Sequence, residues 1–468
     1  MWKFIKWGLI GWLVLSVLTL PFYWPFLRML WVFMPMVEAP KYDPPETAIE
    51  ARLQDVDYLS TLIKYDRSFS DDAEQVFSER LDAISDAAET MTDAEFYLAL
   101  SESVALADNG HTSVNGRPRY TAFNTIGARF YNFRDGTFIV RAATEHAETL
   151  GHRVVSIEGI PIDTLLTDLA KFKGGNEVWR NLYNTFLIES PELLAAAGVI
   201  DAADALEMTL EAPSGEQRQV TFNALSALGS DQPGRAAWHS LVPKDGNAVH
   251  ESWAHVLDAE AVPLPTYLTN TSEPLSYALE GNGLYIRALP GFAAGEETIQ
   301  NAYKAILAEH PEGSLDYLVV DFRLHDGGDY TKSMRFSKAA PKRVKEDGDI
   351  YIITGPNTFS AAIVTVAMLK YNSGARGIII GEQMGDREQF WAERGTDFRL
   401  PNSGYYINYA TGYHDWETGC KGEPFCYTMN EMYEVPAGSL SPEVVLETAF
   451  SDYLAGEDVV MNWVKAQR

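Results

Sequence analysis

The chain carries Leu315-Asp-Tyr-Leu-Val-Val-Asp-Phe-Arg-Leu-His-Asp-Gly-Gly328, an apolar run that leads into two adjacent glycines. Short apolar runs rich in β-branched residues are typical of buried strands. Consecutive glycines let backbone N–H groups face a ligand, because no side chain stands in the way. The stretch therefore predicts a buried strand followed by a loop that can approach a ligand closely.

Strand and helix patterns alternate on both sides of this stretch. The sequence predicts strands at Leu284–Arg287, Asp349–Thr354 and Gly377–Ile380, and helices at Glu296–Glu309 and Ser360–Tyr371. A regular β-α-β order is typical of a mainly parallel sheet with helices on its faces. We therefore predict an α/β domain over residues 281–468.

The region upstream divides into three parts by pattern. Thr47 to Glu50 and Thr92 to Glu95 have the form of capping boxes, which predicts a helical N-terminal domain over residues 47–118. Strand patterns, with a hairpin around Asp135-Gly136, predict a β-rich middle domain over residues 119–225. Residues 226–280 have no clear pattern, and we assign them to an irregular connection.

The first residues have the composition of a membrane anchor. The run Trp7–Leu27 carries no charge, and about 20 such residues span a bilayer as one transmembrane helix. Lys3 and Lys6 precede it, which predicts a cytoplasmic N-terminus and exported, periplasmic domains. We assign residues 1–36 to the anchor and 37–46 to a linker. The alternative is a cleaved signal peptide, although Val37-Glu38-Ala39 is a poor cleavage site.

Net charge and cysteine content limit the binding partners and metal sites that the chain is expected to have. The formal net charge is −28, from 37 basic and 65 acidic residues, and such a chain repels phosphate backbones, which argues against nucleic-acid binding. The two cysteines, Cys420 and Cys426, are too few for a zinc site. We expect a disulfide if the chain is exported, with two free thiols as the alternative. We predict neither a metal nor a cofactor.

Ser360 is the candidate nucleophile. It follows a predicted strand and turn and begins a helix, where free N–H groups and the helix dipole favour developing negative charge. The backbone N–H of Gly327 or Gly328, with that of Ala361, could form an oxyanion hole. The alternative is that Ser360 only caps the helix.

A nucleophilic serine needs a base. His111, in Asn109-Gly-His-Thr112 at a predicted domain junction, is the candidate, and His325 in the glycine loop is its competitor. The chain has no Gly-x-Ser-x-Gly motif, which argues against an α/β-hydrolase.

Taken together, five segments resemble the C-terminal processing (tail-specific) serine peptidases and their relatives in the tricorn-core and interphotoreceptor retinoid-binding protein group. The glycine stretch Asp321–Gly328 resembles that family's Asp-Leu-Arg-x-Asn-x-Gly-Gly. The other segments, in the family's order, are Asp108-Asn-Gly-His-Thr112, Thr358-Phe-Ser-Ala361, Ile380-Gly-Glu-Gln-Met-Gly385 and Ser441-Pro-Glu-Val444.

The resemblance implies a crotonase-like α/β core and a degenerate PDZ-like middle domain. It also implies peptide-bond hydrolysis by Ser360, with an oxyanion hole from the glycine loop and Ala361. The processing peptidases use a lysine base that is missing here, so the resemblance to the tricorn branch implies His111 instead. That branch orients its histidine through a glutamate, for which Glu434 is our candidate and Glu431 the reserve.

These observations lead to a first hypothesis, a membrane-anchored extracytoplasmic serine peptidase that acts on peptides or proteins. The second hypothesis is a catalytically inactive peptide- or ligand-binding protein of the same fold, because the lysine is missing and His325 replaces the usual asparagine. A hydrolase of other substrates is a minor variant of the first.

Overall fold

A computed structural model describes residues 23–229, 236–243, 253–258, 264–290 and 296–468 of the 468-residue chain. Most of the uncharged run Trp7–Leu27 therefore lies outside the described residues. Within the described ranges, no helix is both long enough and apolar enough to cross a membrane.

Residues 23–37 pack against the body of the protein. Residues 23–28 are α-helical and Met29–Phe33 continue as a π-helix. Phe33 is fully buried and its ring lies 5.2 Å from that of Tyr427. The Thr411 hydroxyl donates to the Phe33 carbonyl at 2.7 Å. The end of the segment that we assigned to an anchor is therefore a fixed part of the folded domain.

Three helices follow, in agreement with the predicted helical region. In the first, the Thr47 side chain accepts from the Glu50 N–H, and in the third Thr92 and Glu95 form a complete capping box. This part contains the elements α1 (Ala48–Ser60), α2 (Asp71–Ala87), α3 (Asp93–Val104), β1 (Ser113–Val114) and α4 (Pro118–Thr121).

The middle region is a largely antiparallel sheet, as predicted, and Asp135 and Gly136 stand at the turn of its first hairpin. The sheet has the order β2-β3-β4-β6-β7, with β5 on β4 and β8 on β3. Its elements are β2 (Ala128–Phe133), β3 (Gly136–Ala142), β4 (Arg153–Ile157), β5 (Ile160–Pro161), α5 (Ile162–Leu169), α6 (Glu177–Asn184), α7 (Pro191–Ala196), β6 (Ala205–Glu211), β7 (Gln217–Asn223) and β8 (Ala254–His255).

The C-terminal region is built on a six-stranded sheet of order β18-β13-β12-β11-β10-β9. Strands β10 to β13 and β18 are parallel and β9 is antiparallel, so the mainly parallel sheet is confirmed. The elements are β9 (Leu275–Glu280), β10 (Gly283–Ala288), α8 (Glu296–Glu309), β11 (Leu318–Asp321), α9 (Met334–Ala339), β12 (Ile350–Thr354), α10 (Ala361–Ser373), β13 (Gly377–Gly381), β14 (Gln389–Ala392), β15 (Phe398–Arg399), β16 (Tyr406–Asn408), β17 (Gly412–Asp415), α11 (Thr428–Tyr433), β18 (Val444–Val445), α12 (Phe450–Leu454) and α13 (Val459–Ala466).

One boundary differs from the prediction. Strand β9 lies in the stretch assigned to an irregular connection, and it pairs with β10 through a tight turn at Gly281. Tyr277 and Leu279 on β9 are exposed, as on many edge strands, so the strand lacks the apolar run by which its buried neighbours are recognised.

The N-terminal and C-terminal parts of the chain are joined. Strand β1 pairs with β16, which in turn pairs with β15. Buried apolar side chains of the helical region, the middle sheet and residues 398–409 form one continuous core. A histidine that follows α3 can therefore lie beside loops of the C-terminal sheet. Cys420 and Cys426 form the predicted disulfide.

Candidate active site

The loops that follow β11, β12 and β13 meet at the carboxyl edge of the parallel sheet. The Thr358 hydroxyl donates to the Phe322 carbonyl at 2.9 Å, and the Phe359 N–H donates to the His325 carbonyl at 3.2 Å. The Gly385 N–H donates to the Thr358 carbonyl at 3.0 Å. These bonds fix the turn before Ser360 between the other two loops, at the sheet edge where sites of α/β proteins cluster.

Ser360 has a strained backbone at the start of α10. Its φ is 55° and its ψ is −122°, a conformation that costs a non-glycine residue about 1–3 kcal/mol and that is found preferentially at functional sites. Its side chain makes no capping hydrogen bond. The alternative interpretation, that Ser360 serves only as a helix cap, therefore lacks the bond that it requires.

Gly327 lies directly against Ser360. A Cβ atom at residue 327 would stand 3.1 Å from Ser360 Cβ and 3.5 Å from Oγ, and its φ of 131° favours glycine. The sequence around Gly327 thus lets the loop backbone reach the serine.

The N–H groups near Ser360 are only partly free. The Gly327 N–H donates to Nδ1 of His325 at 3.2 Å. Burial lowers the pKa of His325 to about 4, so its ring is neutral near pH 7 and accepts this bond. Among the described residues, the N–H groups of Gly328 and Ala361 have no hydrogen-bond partner. The Gly327 N–H is therefore already used, whereas those of Gly328 and Ala361 are free to bind a further acceptor.

His111 packs beside the nucleophile loop. Its ring stacks on that of Phe359, the residue before Ser360, at 4.4 Å between centroids, and on Phe390 at 5.3 Å. Its Nδ1 lies 3.3 Å from Oδ2 of Asp386. Within the described structure, no hydrogen bond joins the ring to the Ser360 hydroxyl, because both ring nitrogens are buried without a hydrogen-bond partner.

Asp386 is a buried carboxylate in the loop after β13. Its side chain is 2% exposed, and its Oδ1 accepts from the Arg387 N–H at 2.9 Å. Its Oδ2 is buried and, among the described residues, has no hydrogen-bond partner. A buried carboxylate oxygen and a buried ring nitrogen at 3.3 Å satisfy one another best as a charge-assisted pair.

The carboxylate beside His111 is therefore Asp386 and not Glu434. Glu434 follows α11 at the surface, where its side chain is 56% exposed and pairs with Lys421. The reserve candidate, Glu431, pairs with Arg28. Asp386 and His111 are 275 positions apart in the chain, and only the folded loops bring them together.

A buried lysine bonds to the backbone of the residue that precedes His111. Lys173 is buried, and its ammonium group donates to the Gly110 carbonyl at 3.0 Å. Burial, aided by the nearby Arg119, lowers the pKa of Lys173 to about 7, and Asp386 opposes this change. The sequence gives no signal for this residue, which precedes an ordinary Gly-Gly turn.

The base of the glycine loop rests on a buried ion network. The Arg323 guanidinium pairs with Asp321 at 2.6 Å and with Asp458 at 2.8 Å, and all three residues are buried. The Tyr285 hydroxyl donates to Asp321 at 2.8 Å. Because every charge in this network is paired, the strand-to-loop junction before Gly327 is held in one geometry.

A cavity opens next to the serine. Gly327 and Ala361, which adjoin Ser360, form part of its wall. Leu289, Ile299 and Tyr303 make much of the rest apolar. A group bound there would contact Gly327 and Ala361, the neighbours of Ser360 in space and in sequence.

The chain has the fold of known proteins although its sequence has diverged. No protein-family model and no curated protein matches it. Its structure is similar to mature CPAF complexed with lactacystin, with a TM-score of 0.54 and 12% identity over 90% of this chain and 98% of that one. Mature CPAF in another crystal structure gives 0.52, with 12% identity over 87% and 95%. At this identity the likeness is one of fold, and it confirms the predicted mixed α/β class.

A weaker likeness, with a TM-score of 0.37, links the chain to the photosystem II D1 C-terminal processing protease, at 12% identity over 87% of this chain and 98% of that one.

Proposed function

We propose that the protein is a serine peptidase in which Ser360 is the nucleophile, His111 the base and Asp386 the carboxylate that orients the histidine. The observation that carries the proposal is the contact of His111 with Asp386 on one side and with Phe359, the neighbour of Ser360, on the other. The strained backbone of Ser360 and the close approach of Gly327 support it.

The chemistry follows from the positions of these groups. His111 removes the hydroxyl proton as Ser360 Oγ attacks the carbonyl carbon of a peptide bond. The oxyanion that forms accepts hydrogen bonds from the N–H groups of Gly328 and Ala361, at the positive end of α10. His111 then gives its proton to the leaving amine, and water hydrolyses the acyl-enzyme in the same way. Because no hydrogen bond joins the described His111 ring to the Ser360 hydroxyl, the two side chains have to come together when the proton is transferred.

A polypeptide substrate is favoured by the motifs that the chain shares with the processing and tricorn-type peptidases. The largely apolar wall of the cavity beside Gly327 favours an apolar side chain of such a substrate. The Cys420–Cys426 disulfide supports an oxidising, extracytoplasmic compartment. We further propose that the uncharged run Trp7–Leu27 attaches the chain to a membrane.

The test is cleavage of an unfolded protein such as reduced casein by the full chain and by its Ser360→Ala variant, with the products identified by mass spectrometry. We expect internal cleavage by the wild-type chain and loss of turnover, with unchanged folding, in the variant. Full activity of the variant would contradict the proposal.

The second candidate is a protein of this fold that binds peptides without cleaving them. It is favoured by the lack of a hydrogen bond between Ser360 and His111. Binding of a peptide by the wild-type chain, measured by calorimetry, with no product after prolonged incubation would support it.

A further inference from the structure

The segment over residues 23–36 turns large apolar side chains toward solvent. Trp31 and Met36 are 82% and 83% exposed, and Tyr23, Trp24 and Phe26 are more than half exposed. Single apolar residues are common on protein surfaces, whereas a contiguous group of this kind marks a surface that meets a partner or a membrane.

The exposure does not come from loose packing. Phe33, on the other face of the same segment, is fully buried, and its carbonyl accepts from Thr411. The Val37 N–H donates to Thr396 at 2.8 Å. The segment is therefore held with one apolar face in the core and a second apolar face outward.

A second stretch of the chain extends this surface. Arg28 donates to the Cys426 carbonyl at 3.1 Å and pairs with Glu431, which brings the turn before α11 and α11 itself beside the segment. Three apolar side chains of that stretch are exposed, at 39% for Phe425, 56% for Met432 and 43% for Tyr433. We call the exposed apolar residues of 23–36 and 425–433 the aromatic patch.

Charge distinguishes the patch from the rest of the molecule. The chain has a net charge of −28, yet residues 23–37 contain one charged residue, Arg28, and its charge is paired with Glu431. The uncharged run Trp7–Leu27 leads directly into the same segment. Tryptophan and tyrosine side chains are enriched where a bilayer meets water, because their rings are apolar and carry one polar group.

We propose that the aromatic patch lies in the headgroup layer of a bilayer and holds the folded domain flat against the membrane. The proposal rests on the membrane attachment proposed above and is independent of the peptidase chemistry. Because the chain is strongly acidic, the lipid surface that fits it is zwitterionic and not anionic.

A path of packed rings connects the buried face of the segment with His111. Successive ring contacts run from Phe33 to Tyr427, His414, Phe390 and His111, with centroid distances of 5.2, 5.1, 4.9 and 5.3 Å. Docking by the patch would therefore hold the site in a fixed position relative to the bilayer.

The experiment uses the full chain in phosphatidylcholine vesicles with a spin label at Met36→Cys. The native cysteines are paired, so the label is unique. The matched control is Leu279→Cys, because Leu279 is also apolar and is 62% exposed on the edge strand β9. When the chain binds vesicles, we expect the Met36 label to collide less often with a water-soluble nickel reagent and more often with oxygen. The collision rates of the control label should not change.

Other outcomes overturn the proposal in distinguishable ways. Flotation of the chain with vesicles, together with a Met36 label that stays open to the nickel reagent, would leave attachment intact and refute docking by the patch. Shielding of the label from both reagents would mean that protein, and not lipid, covers Met36. If the shielding is lost on dilution, the covering protein is a second copy of the chain; if it persists, residues 1–22 of the same chain cover Met36. Absence of flotation would refute attachment and docking together, and casein cleavage would still report on the peptidase separately.

Discussion

Replacement of Asp386 by asparagine tests the arrangement around His111. In the wild-type chain, Oδ2 of Asp386 lies 3.3 Å from His111 Nδ1, and the two side chains are 2% and 16% exposed. Asparagine keeps the size and one oxygen of the side chain but removes the charge. The variant should therefore fold normally and lose the electrostatic support of the histidine when the ring takes the serine proton.

The size of the effect follows from the distance. Two unit charges 3.3 Å apart interact by about 5 kcal/mol at an effective dielectric constant of about 20. Since about 1.4 kcal/mol corresponds to a factor of ten in rate, the ceiling is about 10³ to 10⁴. Because His111 is partly exposed and asparagine retains a dipole, we expect a loss of about 10² to 10³, within the range of general-base catalysis.

The assay is the second-order rate of labelling by a fluorophosphonate, which needs an activated serine but no known substrate. Circular dichroism of each variant checks that it is folded. The control is Glu434→Gln, because Glu434 is exposed and paired with Lys421, and it should label at the wild-type rate. Labelling of Asp386→Asn at nearly the wild-type rate, or an equal loss in Glu434→Gln, would refute the role given to Asp386.

Three further changes have defined outcomes. Gly327→Ala should slow labelling by at least about 10²-fold, because its Cβ would stand 3.1 Å from that of Ser360 and disturb the oxyanion loop. Asp458→Ala should lower the free energy of unfolding by about 1.5–3 kcal/mol in urea titrations, because it removes the hydrogen bonds of one of the two carboxylates that pair with the buried Arg323. Burial raises the pKa of Glu382 from 4.5 to about 7, so the folded state holds this proton more tightly than the unfolded state. The contribution of Glu382 to wild-type stability therefore falls as the pH rises from 4.5 to 7. Glu382→Gln cannot ionise, so its stability relative to wild type should rise from pH 4.5 to 7 and stay level above.

Each change has a matched control. Gly404→Ala also places a side chain at a positive φ, but nothing lies within 4 Å, so it should label normally. Asp82→Ala and Glu89→Gln alter exposed carboxylates and should change the free energy of unfolding by less than about 0.5 kcal/mol, with no trend in pH. A glycine variant that labels like its control, an aspartate variant as stable as its control, or a glutamate variant without a pH trend would each contradict the corresponding prediction.

The alternating elements of the C-terminal sheet could be predicted because each strand carries a strong local pattern. Leu318–Asp321 and Ile350–Thr354 are fully buried and mostly apolar, and the helix after Ser360 begins where the sequence indicates. Strand β9 was missed, because an exposed edge strand lacks that apolar run.

The carboxylate that lies beside His111 was not predicted, for a different reason. Glu434 was chosen from its position near the end of the chain, whereas the neighbours of His111 depend on how three loops pack in space. The sequence does offer Asp386 itself, an acidic residue in the stretch where the processing peptidases carry their lysine base. The packing of Phe33 into the core could not be predicted from the sequence either, because an apolar residue next to a run typical of a membrane anchor gives no indication of what it contacts.

The most direct test of the central claim is to map the fluorophosphonate adduct on the intact chain by peptide mass spectrometry. We expect a single adduct on Ser360 in the wild-type chain, a much slower adduct on the same residue in His111→Ala, and none in Ser360→Ala. An adduct on any other residue, or a folded wild-type chain that remains unlabelled, would contradict the claim that Ser360 is an activated nucleophile.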